Sequence, residues 1–325
     1  MIMGTPLLDV RDLRTYFIMS HSVVKAVDGV SFHVDENETL GIVGESGCGK
    51  TVTCLSILRL IPQPTGRIVG GKIFFDGEDI LAMSEKQMQK LRGRKISMIL
   101  QDPMVSLNPV FTIGDQIGEA ITTHTKAKGP GLIAKVVEAL KLVRIPAPKE
   151  RVRDYPHQMS GGMKQRVVGA ISISCQPRLL IADEPTTSLD VTVQAQYLQL
   201  LKDIQRDLGM AIIFVTHDFG IVATMCDRVA VMYAGKIVES APVRDIFHGP
   251  AHYYTSCLLK AVPKLRTKVN TLVSIEGQPP KLDNLPDGCR FAPRCTRADD
   301  RCRCDEPPLL ALGGDHYVSC WHPQG

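Results

Sequence analysis

The chain of 325 residues carries 38 Lys and Arg against 34 Asp and Glu, a net charge of +4, with 44% hydrophobic and 22% charged residues. That balance describes a folded chain with room for two domains at roughly 150 residues each, and it excludes a disordered one. The small positive excess provides no strong basic face for nucleic acid, and no apolar run approaches the ~18 residues of a membrane span. The opening Met1-Ile2-Met3-Gly4-Thr5-Pro6 lacks a basic segment followed by an apolar one, so the expectation is a chain that stays in the cytoplasm. Ten cysteines are many for that compartment, where disulfides are rare. Five are scattered (Cys48, Cys54, Cys175, Cys226, Cys257) and five crowd the end (Cys289, Cys295, Cys302, Cys304, Cys320).

In chain order, residues 7–17 and 23–34 alternate apolar and polar and predict antiparallel strands. The run 39–43 reads as a buried strand and 52–60 as a helix. Residues 72–75 form a short strand closed by Asp76-Gly77, a hairpin-type turn pair, and 96–100 a buried strand ending at Gln101. From 102 to 175, Pro103, Pro109, Gly114, Gly129 and Pro130 punctuate helical stretches. One is 132–144, with apolar residues at Ile133, Val136, Val137, Leu140 and Val143. The continuous apolar runs 179–183, 211–215 and 229–232 suggest a parallel sheet covered on both faces, with helices at 192–208 and 217–226 between them. The expected architecture is an α/β core with a helical insert over about 102–175. After about residue 262 the pattern weakens. Residues 263–325, rich in Pro, Gly and then Cys, read as a small appended module of a size that usually needs a metal or covalent staple.

Between the strand 39–43 and the helix that follows lies Gly44-Glu45-Ser46-Gly47-Cys48-Gly49-Lys50-Thr51, which fits G-x-x-x-x-G-K-[ST]. Glycines let the backbone curl so that several N–H groups face one anion, and the helix start adds its positive dipole end. Lys50 supplies a point charge for β/γ-phosphates, and the Thr51 hydroxyl suits Mg²⁺. Downstream, Leu179-Leu180-Ile181-Ala182 ends in Asp183-Glu184. Asp183 can hold Mg²⁺ directly or through water, and Glu184 can polarise an attacking water. Cys48 allows two readings. It is a tolerated small residue, or a thiol whose pKa the helix N-terminus lowers, open to oxidation.

With these residues in place the chain resembles the ATP-binding subunit of an ABC transporter, a P-loop NTPase core with N-terminal antiparallel strands and a helical subdomain. The resemblance gives roles to further stretches. Gln101 matches the glutamine loop, which binds Mg²⁺ or water and senses the membrane subunit. Met159-Ser160-Gly161-Gly162-Met163-Lys164-Gln165-Arg166 matches the signature motif, which contacts the ATP of the opposite subunit. The family's common signature has Gln or Glu where this chain has Met163, a Met often shared by peptide-importer subunits. Ser188-Leu189-Asp190 resembles the D-loop, which touches across the dimer, and His217 the switch histidine on the γ-phosphate. For the adenine, an aromatic platform is expected from the first strand, Phe17 ahead of Tyr16.

In the tail, Cys289-x5-Cys295-x6-Cys302 and then Cys320 leave three readings open: buried free thiols, zinc without its usual close Cys pairs, or an iron–sulfur cluster on four thiolates. The arginines at 290, 294, 297, 301 and 303 are interleaved with the cysteines and could offset a cluster's negative charge. From Gln278-Pro279-Pro280 through Gly288–Cys295 to Cys320 the tail resembles the C-terminal extension of dipeptide and oligopeptide importer ATPases. Some of these carry a [4Fe-4S] cluster, which implies Cys289, Cys295, Cys302 and Cys320 as ligands and Cys304 as an extra thiol.

The resemblance implies an ATPase, using ATP and Mg²⁺, that drives uptake of di- or oligopeptides from the cytoplasmic face of the inner membrane, where it sits as a peripheral subunit. Nickel or another small solute is the alternative cargo. A soluble ABC ATPase acting on nucleic acid or ribosomes usually carries two ATP modules or a long coiled coil, and an exporter usually carries its membrane part. Neither feature is in this sequence. One motif set per chain means that each site is completed by a second ATPase subunit, a related one by preference. The other implied partners are two membrane-spanning permease subunits and an extracytoplasmic solute-binding protein.

Overall fold

The computed structural model describes residues 5–101, 106–187, 189–261 and 275–324. In chain order the strands are β1 Leu8–Ile18, β2 Val23–Val34, β3 Thr39–Val43, β4 Gly66–Phe75, β5 Glu78–Asp79, β6 Ile96–Ile99, β7 Leu179–Asp183, β8 Ala211–Thr216, β9 Arg228–Tyr233, β10 Lys236–Pro242, β11 Leu310–Gly313 and β12 His316–Val318. The α-helices are α1 Lys50–Ile57, α2 Glu85–Leu91, α3 Ile113–His124, α4 Gly129–Leu142, α5 Pro148–Arg151, α6 Gly161–Ile173, α7 Val191–Leu208, α8 Phe219–Met225, α9 Val243–His248, α10 Tyr253–Ala261 and α11 Asp300–Cys304.

The chain divides into two compact units. One comprises residues 1–34, 39–81 and 216–325; the other comprises 35–38 and 82–215. In the first unit, β1 pairs antiparallel with both β2 and β4, and β4 with β5. Its burial alternates along β1, as expected for a sheet with one covered face. The turn Asp76-Gly77 has positive φ at both residues, 55° and 78°, the geometry a tight hairpin requires. In the same unit β3 runs parallel to β9, every residue of β3 is buried, and β10 and β12 extend the array antiparallel beyond β9. The core here gathers Val43, Phe219, Val231, Tyr233, Tyr254 and Phe291. Phe291 comes from the cysteine-rich tail. This tail therefore packs into the unit's main core, and β12 joins its sheet through Glu239↔Val318.

In the second unit β6, β7 and β8 are parallel, and β7 and β8 are buried throughout. The helical segment brings α3, α4 and α6 together. α3 begins with a capping box on Thr112 and Asp115, which satisfies first-turn N–H groups and explains its sharp start. Of the apolar series read in 132–144, Val136, Val137 and Leu140 are buried on α4, whereas Ile133 is 57% exposed. Periodicity marks a face but not how far the neighbouring helix covers it. The strand β10 was not read from the sequence at all, because its Lys236–Pro242 run mixes charged and apolar residues without alternation.

Candidate functional site

The phosphate loop lies in the first unit. β3 delivers the chain at Gly44 and α1 takes it away at Lys50. Gly44 has φ of 155°, and a Cβ there would stand 2.1 Å from the Met232 carbonyl oxygen; at Gly49, φ is 108° and a Cβ would meet the Ala26 oxygen at 2.2 Å. Only glycine lets the loop curl this close to its neighbours. No side chain caps α1, whose N-cap is Gly49. Its first N–H groups are therefore left for an anion, with the helix dipole favouring negative charge. The buried Lys50 folds back so that Nζ donates to the carbonyls of Gly44 (2.8 Å) and Glu45 (3.1 Å). Ser46, Gly47 and Thr51 are exposed, Cys48 is buried, and Glu45 lies between these extremes.

Cys48 is 5% exposed and packs beneath Gly44, and burial pushes its thiol up against an opposing pull from the Lys50 charge, which favours the reading of a tolerated small residue.

The other expected elements of this unit are also located. Phe17 is half-buried on β1 opposite Val24 and Gly66. Tyr16 donates its hydroxyl to Asp28 at 2.6 Å, which occupies its polar end and leaves Phe17 the freer ring. His217 is exposed immediately after β8.

In the second unit, Asp183 ends β7 and is 1% exposed. Glu184 follows with a left-handed backbone, φ 45°, and its N–H donates to the Val215 carbonyl at 3.0 Å. That turn aims the carboxylate off the strand axis. Gln101 Nε2 donates to Glu184 Oε2 at 3.0 Å and Thr187 Oγ1 donates to the same oxygen at 3.2 Å. Two residues expected to share a site are thus in direct contact. Ser160 caps α6 and accepts the Met163 N–H at 3.4 Å. This uses an oxygen lone pair and leaves the hydroxyl proton for another acceptor. Gly161 is open to solvent, whereas a Cβ on Gly162 would stand 2.7 Å from Val193 Cγ1 on α7. Asp190 caps α7 by accepting the Val193 N–H at 2.9 Å. Ser188 of the same expected loop lies outside the described residues.

The tail forms a second site in the first unit. Cys289, Cys295, Cys302 and Cys320 line one small cavity, with Phe291 and Trp321 in its wall. Cys304 is exposed and absent from that lining. Burial pushes the Cys289 thiol up to about 11; the Phe291 N–H pulls it back, and the Cys320 and Cys302 charges add to the rise. The His322 N–H donates to Cys320 Sγ at 3.4 Å. His252 also lines the cavity; its Nδ1 accepts the Tyr254 N–H at 3.0 Å, while its buried Nε2 has no partner among the described residues. The cavity brings four thiols to one lining, with N–H donors to two of them; the His/Cys/Asp/Glu side chains whose ligand atoms lie within 4.8 Å of one another are, among the described residues, Asp299, Cys302 and His322.

The expectation that five arginines offset a cluster is corrected for two of them. Arg290 pairs with Asp28 on β2 and Arg294 with Glu45 of the phosphate loop. Arg297 and Arg301 stack on Tyr253 and Trp321. Nothing in the sequence signals that Arg294 and Tyr254 reach the phosphate loop or that Arg290 reaches Asp28, because these partners stand 249, 209 and 262 residues apart along the chain.

Comparisons with known proteins show the family and the fold. The ABC transporter family matches residues 27–187, and the C-terminal region of oligopeptide/dipeptide transporters matches residues 238–302. A protein of Sinorhizobium fredii named a probable peptide ABC transporter ATP-binding protein is 51% identical over 316 residues, covering 97% of this chain and 94% of that one. An oligopeptide transport ATP-binding protein of Bacillus subtilis is 49% identical over 326 residues, with coverage of 99% and 91%. A dipeptide transport ATP-binding protein of the same species is 48% identical over 314 residues, with coverage of 97% and 94%. Among solved structures, cbiO1 of Clostridium perfringens, part of an ABC transporter complex, matches with a TM-score of 0.65 at 27% identity over 75% of this chain and 91% of that one. A dimeric ATP-binding cassette bound to ADP and phosphate shares the fold, with a TM-score of 0.65 at 23% identity over 73% of this chain and 99% of that one. With relatives about half identical along nearly its whole length, the chain belongs to the family of ATP-binding subunits, the ATPases, of oligopeptide and dipeptide ABC transporters.

Proposed function

We propose that this ATPase powers the import of di- or oligopeptides. The observation that carries the catalytic reading is the Glu184 carboxylate, turned off the end of β7 beside buried Asp183 and held by Gln101 and Thr187. ATP is taken as substrate by the curled loop 44–51. Its N–H groups and Lys50 bind phosphate oxygens, and Phe17 stacks on the adenine. Thr51, Gln101 and Asp183 are the residues that, by family resemblance, would hold Mg²⁺, which would supply charge neutralisation at the phosphates. Glu184 orients water for attack and accepts its proton, and His217 contacts the γ-phosphate. The Ser160-Gly161-Gly162 turn and Asp190 serve the ATP held by a second, related ATPase subunit, so that binding closes the pair and hydrolysis reopens it.

The helical segment is the surface we assign to the permeases. An open groove of ≈ 560 Å³ lies between α3 and α4, where Leu132 and the exposed Ile133 meet Asp115, Glu119 and Arg153. A short amphipathic helix from a membrane subunit suits that mixture. Among the described residues no helix is long and apolar enough to cross a membrane. By family resemblance we assign the chain as a peripheral subunit on the cytoplasmic face, working with two permeases and a solute-binding protein outside. Peptide as cargo rests on the relatives' names and the matched C-terminal region; nickel or another small solute is the second reading.

The cysteine cavity is proposed to hold a [4Fe-4S] cluster on Cys289, Cys295, Cys302 and Cys320. Those four residues would hold the cluster, which would supply a staple for the tail.

The test uses the complex isolated from native membranes under anaerobic conditions. Glu184→Gln is expected to keep ATP binding and to lower turnover at least about a hundredfold, the scale of a lost general base. Near-normal turnover removes Glu184 from the role. The same preparation is expected to contain two different ATPase subunits, two permeases and iron with acid-labile sulfide, and to take up labelled dipeptide. Absence of iron rejects the cluster, and uptake of nickel without peptide selects the second cargo.

A further inference from the structure

The phosphate loop contains a feature that opposes its purpose. Glu45, the residue after Gly44, places a carboxylate in a loop built to receive phosphate. An acid there repels the ligand unless its charge is cancelled and its side chain is held aside.

The tail does both. Arg294 Nη1 donates to Glu45 Oε2 at 2.6 Å and Nη2 donates to Oε1 at 3.0 Å, a two-pronged contact that sets the carboxylate's plane as well as its position. The arginine side chain is only 4% exposed. It is fixed from every side: Nε donates to the Glu276 carbonyl at 3.0 Å, Nη1 also reaches the Tyr233 hydroxyl at 3.3 Å, and the guanidinium lies against the Tyr233 and Phe291 rings. The backbone of Glu45 is held independently, its N–H donating to the Tyr254 hydroxyl at 3.0 Å. Arg294 ends the short turn Ala292–Arg294 that lies between Cys289 and Cys295. A second segment of the tail, residues 279–282, lines a pocket together with residues 45–48 of the loop, and the Leu282 carbonyl accepts the Lys25 N–H at 3.0 Å.

We infer that Arg294 is a positioning residue for nucleotide binding, drawing the Glu45 carboxylate away from the phosphate site and neutralising it. The assignment rests on the loop 44–51 being the ATP site. It also makes the cysteine-rich tail part of the nucleotide site's support.

The experiment measures ATP turnover and binding of a fluorescent ATP analogue by the intact transporter, with thermal unfolding as a check on folding. Arg294→Ala is expected to raise KM for ATP roughly tenfold with little change in kcat, the signature of weakened binding without loss of transition-state contacts. Adding Glu45→Gln to that variant removes the uncancelled charge and is expected to recover most of the affinity. Arg294→Lys, which keeps the charge but not the fork, is expected to fall between. A packing role predicts no recovery in the double variant. Unchanged KM in Arg294→Ala, or a double variant no better than the single, overturns the inference. A wild-type complex that fails to bind ATP instead overturns the reading of the loop on which it rests.

Discussion

At the scale of single residues, the tail is tied to the first unit by buried charge. Arg290, with a side chain 8% exposed, pairs with Asp28 on β2 and also donates to the Ala234 carbonyl. Burial works to raise the Asp28 carboxyl, but the Tyr16 hydroxyl and the Arg290 guanidinium outweigh it and hold it below the ordinary carboxylate range. A carboxyl lowered in the folded state contributes stability that is complete above its unfolded value, about 4, and that is lost as pH falls through the lower folded value. Asp28→Asn is therefore expected to cost about 2 kcal/mol at pH 7, because it leaves Arg290 buried without its counter-charge. The gap from wild type should narrow below about pH 4. Thermal midpoints at pH 7 and pH 3.5 check this, and a gap that stays constant with pH rejects the pair as its source.

At the scale of elements, the start of α6 separates packing from binding. Gly161 faces open space, while Gly162 lies against Val193 on α7. Gly161→Ala should leave the melting temperature unchanged, so any lost turnover reports on the nucleotide. Gly162→Ala forces Val193 aside and is expected to cost about 1–2 kcal/mol, as overpacking does. Calorimetry of the two variants distinguishes them, and equal melting points would show that the α6–α7 approach relaxes freely. Element existence was largely legible beforehand. The runs 39–43, 179–183 and 211–215 are strands because continuous apolar residues of strand length are buried on both faces. The exposed Ile133 and the unread β10 were not legible, since coverage of a helix face and pairing of a mixed-character strand depend on neighbours distant in the chain.

At the scale of the molecule, the last residues close over the first unit. β12 pairs with β10, His316 Nε2 lies 2.8 Å from the buried Glu239 carboxylate, and the Gln324 N–H donates to the Ala251 carbonyl at 2.8 Å. Glu239 in turn accepts the N–H groups of Ala251 and His252 at 2.6 and 2.9 Å. Removing residues 305–325 takes away β11, β12 and Cys320 together. Such a truncation is expected to speed proteolysis of the first unit, with limited proteolysis as the measurement, and to abolish the proposed iron binding, with iron analysis as the measurement. A truncated chain as resistant as the full one would show that the tail is merely appended.

The sequence by itself determined the local geometry on which the proposed nucleotide site is built. Its motifs are local: the curl at Gly44–Gly49, the Lys50 charge at a helix start and the Asp183-Glu184 pair at a strand end depend on residues adjacent in the chain. The cysteines of the tail were equally visible as a set, because their density alone singles them out. Only the tertiary structure decided how the tail serves the rest. It separated buried Cys302 from exposed Cys304, turned Arg290 and Arg294 from the cysteines toward Asp28 and Glu45, and made Cys48 a packed thiol. Those outcomes depend on which long side chain finds an opposite charge, and on how much water each thiol loses, when segments more than two hundred residues apart are brought into contact.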